Sequence, residues 1–208
     1  CCRARASEPA RPVFVRVDEK PRKRWHWATP LIVLACLAVA IWQALIVPEE
    51  RFQLARAWGT VPAELRGNLG GLLDHNALRL LTALFVHGDW THLFGNLLFL
   101  GLFGSAVERA LKPWRLLILF LVAGGAANLF AATLATTASA PIIGSSGAVS
   151  ALIGAFVLLY PHSHLGVVLP LGLYFQLVRV PAIHLIGMWL LFQVLETMGS
   201  RSGAIAWW

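Results

Sequence analysis

Ala28-Thr-Pro-Leu-Ile-Val-Leu-Ala-Cys-Leu-Ala-Val-Ala-Ile-Trp-Gln-Ala-Leu-Ile-Val47 runs for 20 residues without a charge. A helix of that length rises ~1.5 Å per residue and reaches across the ~30 Å hydrocarbon core of a bilayer. A secretory signal peptide has a shorter apolar stretch and a small-residue cleavage site, so this segment is expected to span and stay. Composition agrees: 58% of the 208 residues are hydrophobic and 13% charged, against roughly 45–50% and about 25% in soluble domains. The chain reads as an all-α, polytopic membrane helix bundle. Its length gives room for one such bundle and no second globular domain of ordinary size.

The net charge of +7 is concentrated at the front, with eight of the 17 Lys and Arg residues ahead of Trp25. Basic residues packed before a first span set a cytoplasmic N-terminus by the positive-inside rule. They also lack the aromatic-interleaved basic face of a nucleic-acid site, so no nucleic acid is expected among the partners. Residues 1–25 are therefore read as a basic cytoplasmic tail touching acidic lipid at most weakly, and 26–208 as the membrane domain. Cys1, Cys2 and Cys36 form neither an even disulfide framework nor a zinc-ligand spacing.

Beyond Val47, the stretch Pro48 to Asp74 mixes both charge signs with Gly59, Gly67, Gly70 and Gly71 and reads as an external amphipathic loop. Ala77 to Val86 is apolar but carries Arg79 and precedes His87-Gly-Asp-Trp90, an interfacial piece leading into a span over 91–107. Arg109, Lys112 and Arg115 against Glu108 mark a cytoplasmic turn. Further spans are expected at 116–133, 144–160 and 180–195, with Leu134 to Pro141 an external loop. His162 to Gln176 is expected to be a cytoplasmic-side loop pressed on the bilayer. A plasma-membrane location fits this pattern.

Ser146, Ser150 and Gly154 are four apart and share a helix face, which suits close packing of a neighbouring helix. Ser146 also stands in the helix's first turn after Gly144-Ser145, where backbone N–H groups and the helix dipole can stabilise an oxyanion. Ser145 competes for the nucleophile's role, since Gly144-Ser-Ser-Gly147 alone does not distinguish the two. His92 and Asn96 are likewise four apart on an otherwise apolar helix. Such polar groups face a bundle interior, either as interhelical glue, typically about 0.6 kcal/mol, or as donors to a tetrahedral intermediate, where one donor contributes roughly 3–4 kcal/mol.

Taken together, His92-x-x-x-Asn96 followed by Gly144-x-Ser146-Gly147 in a multispan chain resembles the rhomboid intramembrane serine proteases from about Leu78 to Trp208. Arg79-Leu-Leu-Thr-Ala-Leu-Phe-Val-His87, Gly104-Ser-Ala-Val-Glu108 and Leu158-Leu-Tyr-Pro161 are similar to segments of that family. The resemblance implies a six-helix core, a serine-type endopeptidase acting on transmembrane protein substrates, and no metal or organic cofactor. It implies Ser146 as nucleophile, His92 and Asn96 as the oxyanion-stabilising pair, and Arg79 as the arginine of a Trp-Arg pair whose tryptophan is Leu78 here. Ser150 stands where some members carry a tyrosine that packs on the catalytic histidine. A soluble hydrolase elbow, Gly-x-Ser-x-Gly, is excluded by Ala148 and by the absence of a preceding sheet pattern.

A serine needs a base, and none of the seven histidines fits. His26, His75, His162 and His164 lie in tails or loops, His87 is read as an interfacial side chain, and His92 is assigned to the oxyanion. His184 with Gly187 echoes the His-x-x-Gly of the family's sixth helix, but Pro181-Ala-Ile-His-Leu-Ile-Gly-Met-Trp189 resembles the start of its fifth, which puts His184 near the cytoplasmic entrance, away from Ser146. The tail Gly203-Ala-Ile-Ala-Trp-Trp208 resembles the sequence directly before the sixth helix. The chain is thus expected to hold about five of six core helices and to be inactive by itself. A rhomboid-like pseudoprotease that binds membrane clients without cutting them is the alternative. A transporter would need intramembrane charges or a broken-helix ion site, of which the spans show little beyond His92 and Asn96.

Overall fold

The computed structural model describes residues 25–67, 75–135, 139–171, 174–199 and 206–207; the basic segment 1–24 lies outside them. In chain order the helices are α1 (Ala28–Leu45), α2 (Pro48–Trp58), α3 (Pro62–Gly67), α4 (His75–Thr82) with a 3-10 turn Ala83–Phe85, α5 (Trp90–Leu111), α6 (Pro113–Leu134), α7 (Ser146–Leu159) and α8 (Ala182–Gly199). Short strands β1 (Ile142–Ile143), β2 (His164–Leu171), β3 (Tyr174–Pro181) and β4 (Ala206–Trp207) complete the described fold. It is an all-α membrane bundle. α1, α5 and α6 are long and apolar enough to cross a membrane, whereas α7 and the apolar part of α8, Ala182–Glu196, are shorter.

α1 has no side-chain cap of its own. Its first N–H groups, which a helix leaves without internal partners, are capped from another helix: Glu108 accepts from Ala28 N–H at 2.8 Å and Thr29 N–H at 2.9 Å. All three residues are buried. Ile32, Cys36 and Ala40 continue the buried face at four-residue spacing, and the opposite face, including Leu34 and Ile41, is exposed as a lipid-facing helix requires. α5 is capped by Asp89, which accepts from His92 N–H at 2.8 Å, and contains a π-helical turn over Leu100–Gly104. Lys112, at φ 84°, and Pro113 then reverse the chain into α6.

The segment Pro48–Gly67 is more ordered than a loop reading suggests. Proline at the first position starts α2, and Arg79 of α4 holds the segment. Its Nε donates to Ala57 O at 3.0 Å, its guanidinium donates to Arg56 O and pairs with Glu64, and Thr82 Oγ1 donates to Trp58 O at 2.7 Å. Leu78 is exposed, and the docking combines these polar contacts with burial of Leu54 and Ala55 against Val86 and Ile143 and of Leu65 against Leu80 and Ile142.

α7 sits among α5, α6 and α8. A Cβ at Gly147 would come 2.4 Å from Ala127 Cβ, and one at Gly124 would come 2.9 Å from Ala148 Cβ, so glycine is what lets α6 and α7 press together. Below them Phe103 packs edge-on against Phe156 at 5.0 Å and Phe99 against Trp189 at 4.9 Å between ring centres. Trp189 Nε1 donates to Ser150 Oγ at 3.0 Å, joining α8 to α7.

The stretch 162–176 differs from expectation. β2 and β3 form an antiparallel hairpin registered from His164 opposite Pro181 to Leu171 opposite Tyr174. Val, Tyr and Phe favour strands, and each strand of a two-stranded ribbon has an open edge on which Pro170 and Pro181 are tolerated.

Glu108→Ala removes the acceptor of two buried N–H groups, at about 1–3 kcal/mol for each group left unsatisfied. A lowered thermal midpoint in detergent is expected, with Glu108→Gln, which keeps one carbonyl acceptor, recovering part of it. In the α2–α3 segment, the hydrogen bond from Arg79 is the largest effect holding the Glu64 carboxyl below its usual value of 4.5, against partial burial, and Arg56 acts in the same direction. A carboxyl held low in the fold stabilises it above the unfolded value and ceases to as pH falls through the folded one. Amide exchange over Pro48–Gly67, corrected for intrinsic rates, is therefore expected to quicken as pH falls below 4.5 and to be already fast at neutral pH in Glu64→Gln.

Candidate active site

With 14 residues, α7 is ~21 Å long at the helical rise, short of a ~30 Å hydrocarbon core. What precedes it is non-helical, and residues 140–146 are all buried. Irregular backbone at membrane depth persists only where protein satisfies its polar groups, and here it does. Thr60 N–H donates to Ile142 O at 3.0 Å, Ile142 N–H to Thr60 O at 2.8 Å, and Gly144 N–H to Ala83 O at 2.9 Å. On its other side β1 pairs in parallel with β4, Ile142 opposite Ala206 and Ile143 opposite Trp207.

The chain turns from this strand into α7 at Gly144, whose φ of 108° favours glycine. Ser145 occupies the N-cap position without capping the helix, and Ser146 is the first helical residue; both are buried. Val149 N–H bonds back to Ser145 O at 2.9 Å, so the earlier N–H groups of the turn point out of the helix mouth.

His92 and Asn96 are brought to this mouth. A Cβ at Gly144 would lie 2.6 Å from His92 Cε1 and 2.8 Å from Nε2, so the imidazole rests directly on the glycine's backbone. Asn96, fully buried, donates from Nδ2 to His92 O at 2.9 Å. Its Oδ1 is buried with no hydrogen-bond partner among the described residues, an uncommon condition in a native interior.

His87, expected at the interface, is instead buried at 4% exposure. Its Nε2 is 3.4 Å from Ser145 Oγ, its Nδ1 3.2 Å from Phe85 O, and its ring stands edge-on to His92 at 5.2 Å. Burial, and then the neighbouring His92, push its pKa down to about 3, so the ring is neutral at physiological pH. The Gln43 side chain holds the backbone of the same residue, donating to His87 O at 3.1 Å. Only the three polar residues at 87, 92 and 96 before a Gly-Ser-Ser-Gly turn hinted at this in the sequence.

His184 is exposed in the first turn of α8. Ala182 N–H donates to Ser163 O at 3.1 Å, just past the far end of α7, so His184 lies a helix length of ~20 Å from Ser146. His26, His162 and His164 are exposed. Of the expected small-residue stripe, Ser146 is buried while Ser150 and Gly154 are exposed, and a Cβ at Gly154 would meet nothing within 4 Å.

Fold and site together define a multi-pass membrane bundle built around a buried serine turn. Residues 74–208 match the Rhomboid domain model, and the chain belongs to the rhomboid family. Over 98 residues it is 37% identical to Rhomboid-like protein 11, chloroplastic, of Arabidopsis thaliana, a match covering 46% of this chain and 35% of that protein. The chain thus spans little over a third of the length of this curated relative.

Gly144→Ala adds a methyl group against His92 at a backbone angle that alanine resists, about 2 kcal/mol or more in strain and overpacking. The thermal midpoint is expected to fall by several degrees. Gly154→Ala, on the open face, is expected to leave it unchanged or slightly raised.

Proposed function

We propose that the protein is a serine-type intramembrane endopeptidase that cleaves transmembrane segments of other membrane proteins. The observation that carries this reading is the buried Gly144–Ser146 turn at the mouth of a helix too short to span, with the His92 imidazole lying on Gly144. Ser146 Oγ attacks the scissile carbonyl and forms the acyl bond while its proton passes to a histidine base. The tetrahedral oxygen is stabilised by His92, Asn96 and the turn's N–H groups. The proton then goes to the leaving amine, and water attacks the acyl-enzyme to restore the serine.

The base is assigned to a histidine on a further helix of the full-length protein, as the family resemblance implies. That helix packs on the face of α7 where Gly154 is open. Substrate enters from the bilayer. A groove of about 470 Å³ lined by Phe94, Leu98, Phe99, Met188 and Phe192 runs between α5 and α8 and offers an apolar approach. The basic N-terminus is proposed to stay cytoplasmic, in the plasma membrane, with α2 and α3 on the opposite side.

The test is fluorophosphonate labelling of the full-length protein together with cleavage of a transmembrane substrate. Ser146→Ala is expected to abolish both, a loss on the order of 10⁶-fold by comparison with other serine hydrolases, while Ser145→Ala still labels. Absence of labelling in the unaltered protein, with retained binding of a transmembrane segment, would instead establish a pseudoprotease.

A further inference from the structure

The residue immediately before the proposed nucleophile is held by a side chain to which the reaction scheme gives no task. Phe85 O can only accept a hydrogen bond, so His87 Nδ1, 3.2 Å away, carries the proton and Nε2 is left as a bare acceptor. The partner facing Nε2 at 3.4 Å is the Ser145 hydroxyl, which must therefore donate. The direction of the Ser145 O–H is thereby fixed, and with it the rotamer of a residue whose backbone joins Gly144 to Ser146.

His87 is itself fixed from two sides. Its backbone N–H donates to Gln43 Oε1 at 3.4 Å and its backbone oxygen accepts from Gln43 Nε2 at 3.1 Å, tying the ring's position to α1. Its edge-on contact with His92 at 5.2 Å places the same ring against the group proposed to stabilise the oxyanion. One imidazole thus touches both the serine turn and His92.

We infer that His87 is a positioning residue for acyl transfer, acting through Ser145 to aim the turn's backbone N–H groups at the developing oxyanion. The inference rests on the protease reading above. The Ser145 hydroxyl is a tether that an alanine at the same place lacks.

The test is the rate at which a fluorophosphonate labels Ser146 in the full-length protein, resolved into probe affinity and maximal rate, with thermal midpoints measured alongside. Ser145→Ala is expected to lower the maximal rate about tenfold, near the worth of one hydrogen bond, with affinity and midpoint unchanged. His87→Gln, which returns a carbonyl oxygen close to the place of Nε2, is expected to keep most of the rate. Combining it with Ser145→Ala should be no slower than Ser145→Ala alone. Ser145→Ala labelling at the unaltered rate, a midpoint falling in step with the rate, or losses that multiply in the double variant would each overturn the inference while leaving the protease reading intact. No labelling of Ser146 in the unaltered protein would remove both.

Discussion

Backbone amides inside a membrane must be satisfied by the protein itself, and the strand that leads into α7 is where this chain meets the requirement without a helix. Thr60, Ala83 and β4 supply its partners, and they come from three separate parts of the chain. Thr60 lies in the α2–α3 segment held by Arg79, Ala83 follows α4, and β4 follows α8. The α2–α3 segment is therefore part of what keeps the serine turn in place. The same pairing constrains topology, since the start of α7, the end of α8 and the loop after α1 must all lie at one face of the bundle.

Beneath the turn the packing is stiff. Glycines at 124 and 147 bring α6 and α7 to distances at which a single methyl group would collide, and the rings of Phe99, Phe103, Phe156 and Trp189 interlock below. A groove opens on the side of α5 that faces α8. A rigid floor under a polar turn, with softness at the margins, suits chemistry that needs fixed donors and a segment admitted from the side.

The membrane character and helical class were legible because lipid imposes a long uncharged run that few other environments tolerate. α1 and α6 lie within a few residues of such runs. The hairpin at 164–181 was not legible, since its prolines and glycines read as breakers and its apolar residues as a bilayer-pressed loop. In the site, the four-residue spacing of His92 and Asn96 announced a shared helix face, and the glycines around Ser145 and Ser146 announced a tight turn. That the His92 ring lies on Gly144, and that His87 reaches Ser145 across 58 positions, are facts of tertiary packing. Periodicity carries no information about contacts of that range.

The cap on α1 has a consequence for how the protein is made. A nascent chain delivers α1 to the bilayer before Glu108 exists, with the amides of Ala28 and Thr29 still dependent on water or lipid headgroups. The seal forms only when a carboxylate 80 residues later arrives on the far end of α5. Until then, α1 is held in the bilayer by its apolar surface alone. Closure of that joint turns a set of inserted helices into a single body, and it gives biogenesis a molecular finishing line.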